Sequence, residues 1–397
     1  MTRDMDTHIQ NVYEDTEFLI SDIPKLITDA LTGKLTLPRE KLDGQNFSFT
    51  VKDDKFVFMG KHVPIWIRNE GGLNRESLIQ NFYNKPKICK TFVDVFDVLT
   101  FVISKMNKNV VNDIFENGQN IMSSEILSPE TENVIQYNTK NISIIGTQSI
   151  GAKLSHDMML KHLQKFDAAL KCIEYSGEWG ISSIPFIEFK GQENEDTLIK
   201  DLIEKFEKTF LRKGLKTLGD LQTKLVFSKI KNVFKNIKNS EIEAMCNRLV
   251  YNNTTAYPYT NTNKHWKKFK HILQSRSIFL AAQFFPIELF FRHLGNVCAK
   301  SYNFKMSNIN SESYATKWKD FIELTKIKLA NHEIEGNDSK LGRIQYCLDR
   351  LSDKEEFINA EGIVFVFDSK IKKLTTSFTA INRLHSHFSF NNPAKFT

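Results

Sequence analysis

Apolar positions from Leu19 to Leu31 recur at helical spacing and Gly33 follows as a stop, so the first regular element is a helix. From Asn46 to Phe58 the spacing shortens to strand-like alternation. Two pieces, Phe-Ser-Phe-Thr-Val and Lys-Phe-Val-Phe-Met, flank the turn Lys52-Asp53-Asp54-Lys55 and predict a β-hairpin. Residues Arg75 to Met106 return to helical spacing. The β-branched runs Ile121 to Leu127 and Val134 to Ile145, around the polar Ser128 to Asn133, predict a second strand pair. The middle of the chain is different. Met158 to Tyr175 and Thr197 to Lys238 are long, helical and lysine-rich, Asn252 to Asn263 is a polar loop, and Lys264 to Phe291 is helical again. Tyr314 to Ala330 and Gly342 to Leu351 add amphipathic helices, and strand character returns at Gly362 to Phe367 and Lys372 to Phe378. Strands at both ends around a helical middle predict an α+β protein, with a β-rich domain interrupted by a helical insertion.

Composition narrows the class. A chain of 397 residues with 41% apolar and 25% charged positions is globular, and its 32 phenylalanines need a core to absorb them. The net charge of +7 permits a phosphorylated or nucleic-acid partner without requiring one. Five cysteines stand singly with no CxxC pair, which disfavours a zinc site or a disulfide framework and fits a reducing compartment. The segment Met1 to Glu17 lacks an apolar signal core. The longest apolar run, Ile278 to Phe291, is interrupted by Gln283, Pro286 and Glu288 and is too short for a bilayer. The expectation is a cytoplasmic protein with no membrane partner.

Three stretches can carry chemistry. Lys41-Leu42-Asp43-Gly44, continued by Gln45-Asn46-Phe47, puts a lysine before a tight turn. A lysine nucleophile must be neutral, which desolvation or nearby cations favour. Alone the tetrapeptide would occur by chance in roughly one chain in twenty, and it reads as easily as a turn with a solvated lysine. Glu361 heads the apolar run Gly362 to Phe367, ahead of Lys370, Lys372 and Lys373. A carboxylate there can hold a divalent ion and the lysines can hold phosphates, or the group is a polar strand cap beside a solvated turn. Glu125 interrupts a strand, where it can accept a ribose hydroxyl or simply mark an exposed edge.

Taken in order, these motifs resemble the covalent nucleotidyltransferase superfamily of ATP-dependent DNA ligases, RNA ligases and capping enzymes, and phage-encoded RNA-ligase-like proteins most of all. The resemblance covers roughly residues 35 to 145 and 355 to 390. It implies that Lys41 is the lysine that becomes nucleotidylylated, and that Asp43, Gly44 and Asn46 bind the nucleotide beside it. It also implies that Arg68 is the basic residue of the following motif, Glu125 the ribose contact and Glu361 the metal-side glutamate. For the last motif the Lys-x-Lys spacing fits Lys370 and Lys372, whereas Lys373-Leu374-Thr375-Thr376-Ser377-Phe378 to Ile381-Asn382 fits the phage pattern and favours Lys373. The implied cofactors are ATP and Mg²⁺. The implied fold is an antiparallel-sheet, ATP-grasp-like ligase core from residues 1–150 and 355–397, with residues 151–354 as a mainly helical insertion. Lys41 and Glu361 would then serve one pocket from opposite ends of the chain.

Two departures shape the expectation. The strand Asn141 to Gly146 has no aromatic to stack on the base, so an isoleucine would pack there or base affinity would be poor. Only 24 residues follow Lys373, too few for the OB-fold domain of DNA ligases and capping enzymes, so an RNA ligase without that domain is favoured. The insertion is basic: Lys205 to Lys238 holds ten Lys/Arg against two acids, and Lys264 to His271 interleaves basic and aromatic residues. Such a surface can track a phosphate backbone, though lysine-rich helices are also ordinary solvated faces. The expected activity is sealing of 5′-phosphate to 3′-hydroxyl ends, on RNA more than DNA, in the host cytoplasm if phage-encoded. Another acceptor, protein or small molecule, GTP in place of ATP, and a degenerate nucleotide- or nucleic-acid-binding module are the alternatives.

Overall fold

The first helix forms where the apolar spacing demands one. Pro24 sits in its first turn, where no amide donor is lost, and Ile23, Leu26, Ile27, Ala30 and Leu31 bury one face. A computed structural model describes residues 9–59, 72–130, 134–135, 137–149, 156–183, 186–212, 214–251, 272, 276–307, 311–334, 338–349, 351, 356–368 and 370–389. In chain order the regular elements are α1 (Ile23–Leu31), β1 (Thr36–Lys41), β2 (Gln45–Lys52), β3 (Lys55–Phe58), α2 (Arg75–Phe82), α3 (Pro86–Lys105), α4 (Lys108–Phe115), β4 (Asn120–Leu127) and β5 (Asn141–Ser149). Then come α5 (His156–Leu170), β6 (Gly180–Ser183), β7 (Glu188–Phe189), α6 (Glu195–Phe210), α7 (Leu218–Val233), α8 (Asn239–Tyr251), α9 (Arg276–Ser301) and β8 (Tyr302–Asn303). The last are α10 (Glu312–Ala330), α11 (Asp338–Leu348), β9 (Gly362–Phe367), β10 (Lys370–Thr375) and α12 (Phe378–Ser389). Helix at 55% and strand at 19%, in antiparallel and mixed sheets, make this an α+β protein, as the sequence predicts.

The chain forms two compact units. One comprises Arg39–Phe186 with Lys305–Asn308, the other Ile9–Pro38, Ile187–Phe304 and Ile309–Thr397. The first is built on a five-stranded sheet of order β3-β2-β4-β5-β6. Its hairpin turns at Asp53 and Asp54, both with positive φ, as a two-residue turn matched to strand twist requires. Phe47, Phe49, Met122, Ile126, Ile142 and Ile144 project from one sheet face into a core shared with Phe92, Val95 and Leu99 of α3 and Phe166 of α5. The helical stretch predicted over 75–106 is two helices, because Pro86 cannot continue a helix and starts the next one instead.

In the second unit β9 and β10 pair antiparallel, and β1, of which residues 36–38 belong to this unit, stands first in the order β1-β9-β10. Ile363, Phe365 and Leu374 turn one face of this pair into a core with α1, α6 and α9. The helical stretch predicted over 197–238 breaks at 211–217, where Gly214 has φ +88°, and restarts from a capping box of Thr217 and Asp220. The strand predicted to reach Phe378 ends at Thr375, and α12 follows.

Candidate functional site

In the first unit, β1 ends on Lys41 and β2 begins at Gln45, so Leu42, Asp43 and Gly44 form a short connection at one end of the five-stranded sheet. Leu42 is buried and anchors it. The Lys41 Nζ donates to the Leu42 carbonyl oxygen at 2.7 Å. Among the described residues Asp43 ties the loop to the segment before β5 at two points. Its main-chain N–H donates to Tyr137 Oη at 2.8 Å, and its Oδ2 accepts from the Ile135 N–H at 3.0 Å. Gly44 is required by close approach: a Cβ there would lie 3.0 Å from the Cβ and Oε2 of Glu125 and from the Ile126 carbonyl oxygen. The loop that carries Lys41 is thus pressed against the strand that carries Glu125.

Around Glu125 the sheet presents a polar row. Asn46 of β2 is in register with Glu125 of β4, Glu125 with Ser143 of β5, and Ser143 with Ser182 of β6. In-register neighbours share a face, so these four side chains lie on the side of the sheet opposite Phe47, Ile126 and Ile142. Asn141 Nδ2 donates to Ser143 Oγ at 2.7 Å and Ser182 Oγ at 3.2 Å. A register shift at Ser123/Ser124 leaves Ile145 as the bulged residue of β5, half-buried. Of the isoleucines expected to replace a base-stacking ring, Ile142 and Ile144 are instead committed to the apolar core. Asn141, Ser143 and Ser182 were not marked by any motif. The signal at Ser143 is positional: it alternates with Ile142 and Ile144 on the strand that pairs with Glu125.

Glu40, beside Lys41 on β1, is also buried, and its Oε2 accepts from the N–H groups of Lys305 and Met306 at 3.1 and 3.0 Å. Burial pushes its carboxyl above the ordinary range, against the opposing pull of hydrogen bonds from Ser307, Met306 and Lys305.

Glu361 and the three lysines belong to the second unit. Glu361 is buried at the head of β9, and its carbonyl oxygen accepts from the Thr376 N–H at 3.0 Å. The register of β10 separates the lysines. Lys370 and Lys372 oppose Phe367 and Phe365 on the core-facing side, whereas Lys373 opposes Val364 on the other. Lys372 Nζ donates to Asp15 Oδ2 at 2.6 Å, with both groups buried, and Lys370 Nζ lies 3.6 Å from Glu17 Oε2. Burial raises the Asp15 carboxyl, but the hydrogen bond and charge of Lys372 outweigh it and hold the group below the ordinary carboxylate range. Lys373 is buried as well, and its N–H donates to the Gln10 carbonyl oxygen at 3.2 Å. Arg68 and the Lys264–His271 stretch lie outside the described residues. Among the described residues no group of three or more His, Cys, Asp or Glu could hold a metal ion, and no helix is long and apolar enough to cross a membrane.

No protein-family model and no curated protein matches the sequence. Among solved structures the chain is weakly similar to the "Putative ATP-dependent DNA ligase from Aquifex aeolicus", at 10% identity over 96% of this chain and 85% of that one, with a TM-score of 0.24. At so low a score the likeness carries no weight, and the function is inferred from the residues themselves.

Proposed function

We propose that the chain is an ATP-dependent RNA ligase that works through a lysyl-AMP on Lys41. The observation that carries the reading is the Lys41-Leu42-Asp43-Gly44 loop, clamped through Asp43 to Ile135 and Tyr137 and packed through Gly44 onto Glu125. A lysine at the edge of a polar sheet face, with a carboxylate beside it for a ribose hydroxyl, suits a nucleotide whose α-phosphorus approaches the amine.

In the proposed reaction neutral Lys41 Nζ attacks the α-phosphorus of ATP. A phosphorus–nitrogen bond forms, the bond to the β-phosphate oxygen breaks, and pyrophosphate leaves while Nζ gives up a proton. Glu125 accepts a ribose hydroxyl, with Asn46 beside it in register. Lys373 is the lysine we assign to the equatorial phosphate oxygens on the Lys-Leu-Thr motif that it heads, whereas Lys370 and Lys372 pair with Asp15 and Glu17. Arg68 keeps the phosphate-side role that the motif order suggests. The single buried carboxylate of Glu361 fits an Mg²⁺ ion that arrives on the nucleotide phosphates rather than a resident all-protein site. When bound, that ion neutralises phosphate charge. Transfer to a 5′-phosphate and displacement of AMP by a 3′-hydroxyl complete the ligation. The basic stretch Lys205 to Lys238, which includes α7, is the surface we assign to the nucleic-acid strand.

A second reading, a nucleotide-binding module without catalysis, is favoured by the missing aromatic on β5. One experiment separates the two. After incubation with α-labelled ATP or GTP and Mg²⁺, label that survives denaturation is chased with 5′-phosphorylated single-stranded RNA and with nicked duplexes. Sealing of RNA supports the ligase. Retained label with no acceptor consumed moves the assignment to another acceptor, and absence of label with either nucleotide leaves the non-catalytic module.

A further inference from the structure

The strand that delivers Lys41 carries a second cation two residues earlier. By strand alternation Arg39 and Lys41 share one face of β1 and Glu40 takes the other. Arg39 is only 9% exposed, yet no carboxylate pairs with it among the described residues. Burial lowers its pKa. Glu40, the nearest acid in sequence, turns its carboxylate to the main chain of Lys305 and Met306. What Arg39 does meet is an aromatic ring: its guanidinium carbon lies 5.2 Å from the centre of Phe186, which also bridges β1 through the main chain. The Phe186 side chain remains 45% exposed.

A buried guanidinium without a counter-ion is unfavourable unless an anion completes it. Its planar fork fits a phosphate, and an exposed ring beside it offers a stacking surface to any base. We infer that Arg39 and Phe186 form the acceptor subsite, in which Arg39 takes the 5′-phosphate of a single-stranded RNA end and Phe186 stacks its first base. The inference rests on the lysyl-AMP reading of Lys41. The two residues share a strand face at a Cα separation of about 6–7 Å, so a phosphate on Arg39 stands next to the adenylyl group on Lys41. In the transfer step an oxygen of that phosphate bonds to the adenylyl phosphorus, the phosphorus–nitrogen bond to Lys41 breaks, and Nζ takes up a proton. The same guanidinium could instead hold the departing phosphates of ATP, so the test has to tell the two sources apart.

Fluorescent single-stranded RNA with either a 5′-phosphate or a 5′-hydroxyl is titrated against the full chain and against Arg39→Ala, Arg39→Lys, Phe186→Ala and Phe186→Trp, with self-labelling by α-labelled ATP followed in parallel. Wild type is expected to prefer the phosphorylated end by about tenfold, as a charge-assisted contact allows. Arg39→Ala abolishes that preference and Arg39→Lys reduces it. Phe186→Ala weakens both RNAs by about tenfold and Phe186→Trp restores them. If Arg39→Ala fails to fold in melting experiments, Arg39→Lys and the surface variants of Phe186 decide. An undiminished phosphate preference in the Arg39 variants overturns the inference, as does a defect confined to self-labelling at unchanged RNA affinity. If wild type never self-labels but keeps a phosphate preference that depends on Arg39, the Lys41 reading fails and the subsite stands.

Discussion

The two tethers of Asp43 allow a quantitative test of how the Lys41 loop is held. Tyr137→Phe removes the oxygen that accepts the Asp43 N–H and leaves that donor in a part-buried place, a loss of about 1 kcal/mol. Asp43→Ala removes a charged acceptor from the Ile135 N–H, a loss of about 1.5–3 kcal/mol. The tethers are not independent, because each holds the same loop against the same segment. Once the Asp43 carboxylate is gone the loop can drift, and the bond to Tyr137 is already weakened. The double variant is therefore expected to cost less than the sum, by about 0.5–2 kcal/mol. Urea unfolding of wild type, both single variants and the double variant measures the cycle. Self-labelling rates measured on the same four proteins report the position of Lys41. Small displacements of a reacting group carry large penalties, so the rate is expected to fall at least about tenfold in Asp43→Ala and by less in Tyr137→Phe. Unfolding energies that add to within about 0.3 kcal/mol, or self-labelling rates that do not change, would refute the idea that this clamp positions the lysine.

Other consequences come from single side chains. Lys373→Ala is expected to abolish self-labelling. Lys372→Met should cost about 3 kcal/mol of stability, because it leaves Asp15 buried without its main cation; unfolding and labelling assays run side by side tell these roles apart. Gly362 has φ +147°, and a Cβ there would overlap the Leu374 carbonyl oxygen, so Gly362→Ala is expected to destabilise the β9–β10 pair by more than about 2 kcal/mol, read as a lowered melting temperature. Glu40 is raised by burial in the folded chain, so its contribution is full below the unfolded carboxyl pKa and declines as pH rises toward the folded value. Glu40→Gln removes that titration, and the stability of wild type relative to the variant should fall as pH is raised from about 4, which melts across pH would show.

What could be read in the sequence depends on physical range. The hairpin of β2 and β3 was legible because both its pattern and its turn are local, and Asp53-Asp54 could only be a turn. The strand β1 was not, since Thr-Leu-Pro-Arg-Glu-Lys has no alternation of apolar residues and is held by pairing with distant chain. Strand β6 is four residues long and pairs parallel to β5, a partnership that no local periodicity announces. The loop Lys41 to Gly44, with Asn46 and Glu125, was legible as a motif, and β2–β4 pairing brings Asn46 and Glu125 into register. The bond between Tyr137 and Asp43 was not legible, because the two residues stand 94 positions apart. The register of β10, which puts Lys373 on the face opposite Lys370 and Lys372, was likewise not legible.

Whether Lys41 carries the nucleotide is measured most directly by the mass of the intact chain after incubation with ATP and Mg²⁺, with peptide mapping of any adduct. A single AMP adduct is expected, acid-labile as a phosphoramidate is, located on the peptide containing Lys41 and absent from Lys41→Ala. An adduct on another residue, or an unmodified chain under every nucleotide and divalent ion tried, would contradict that role for Lys41.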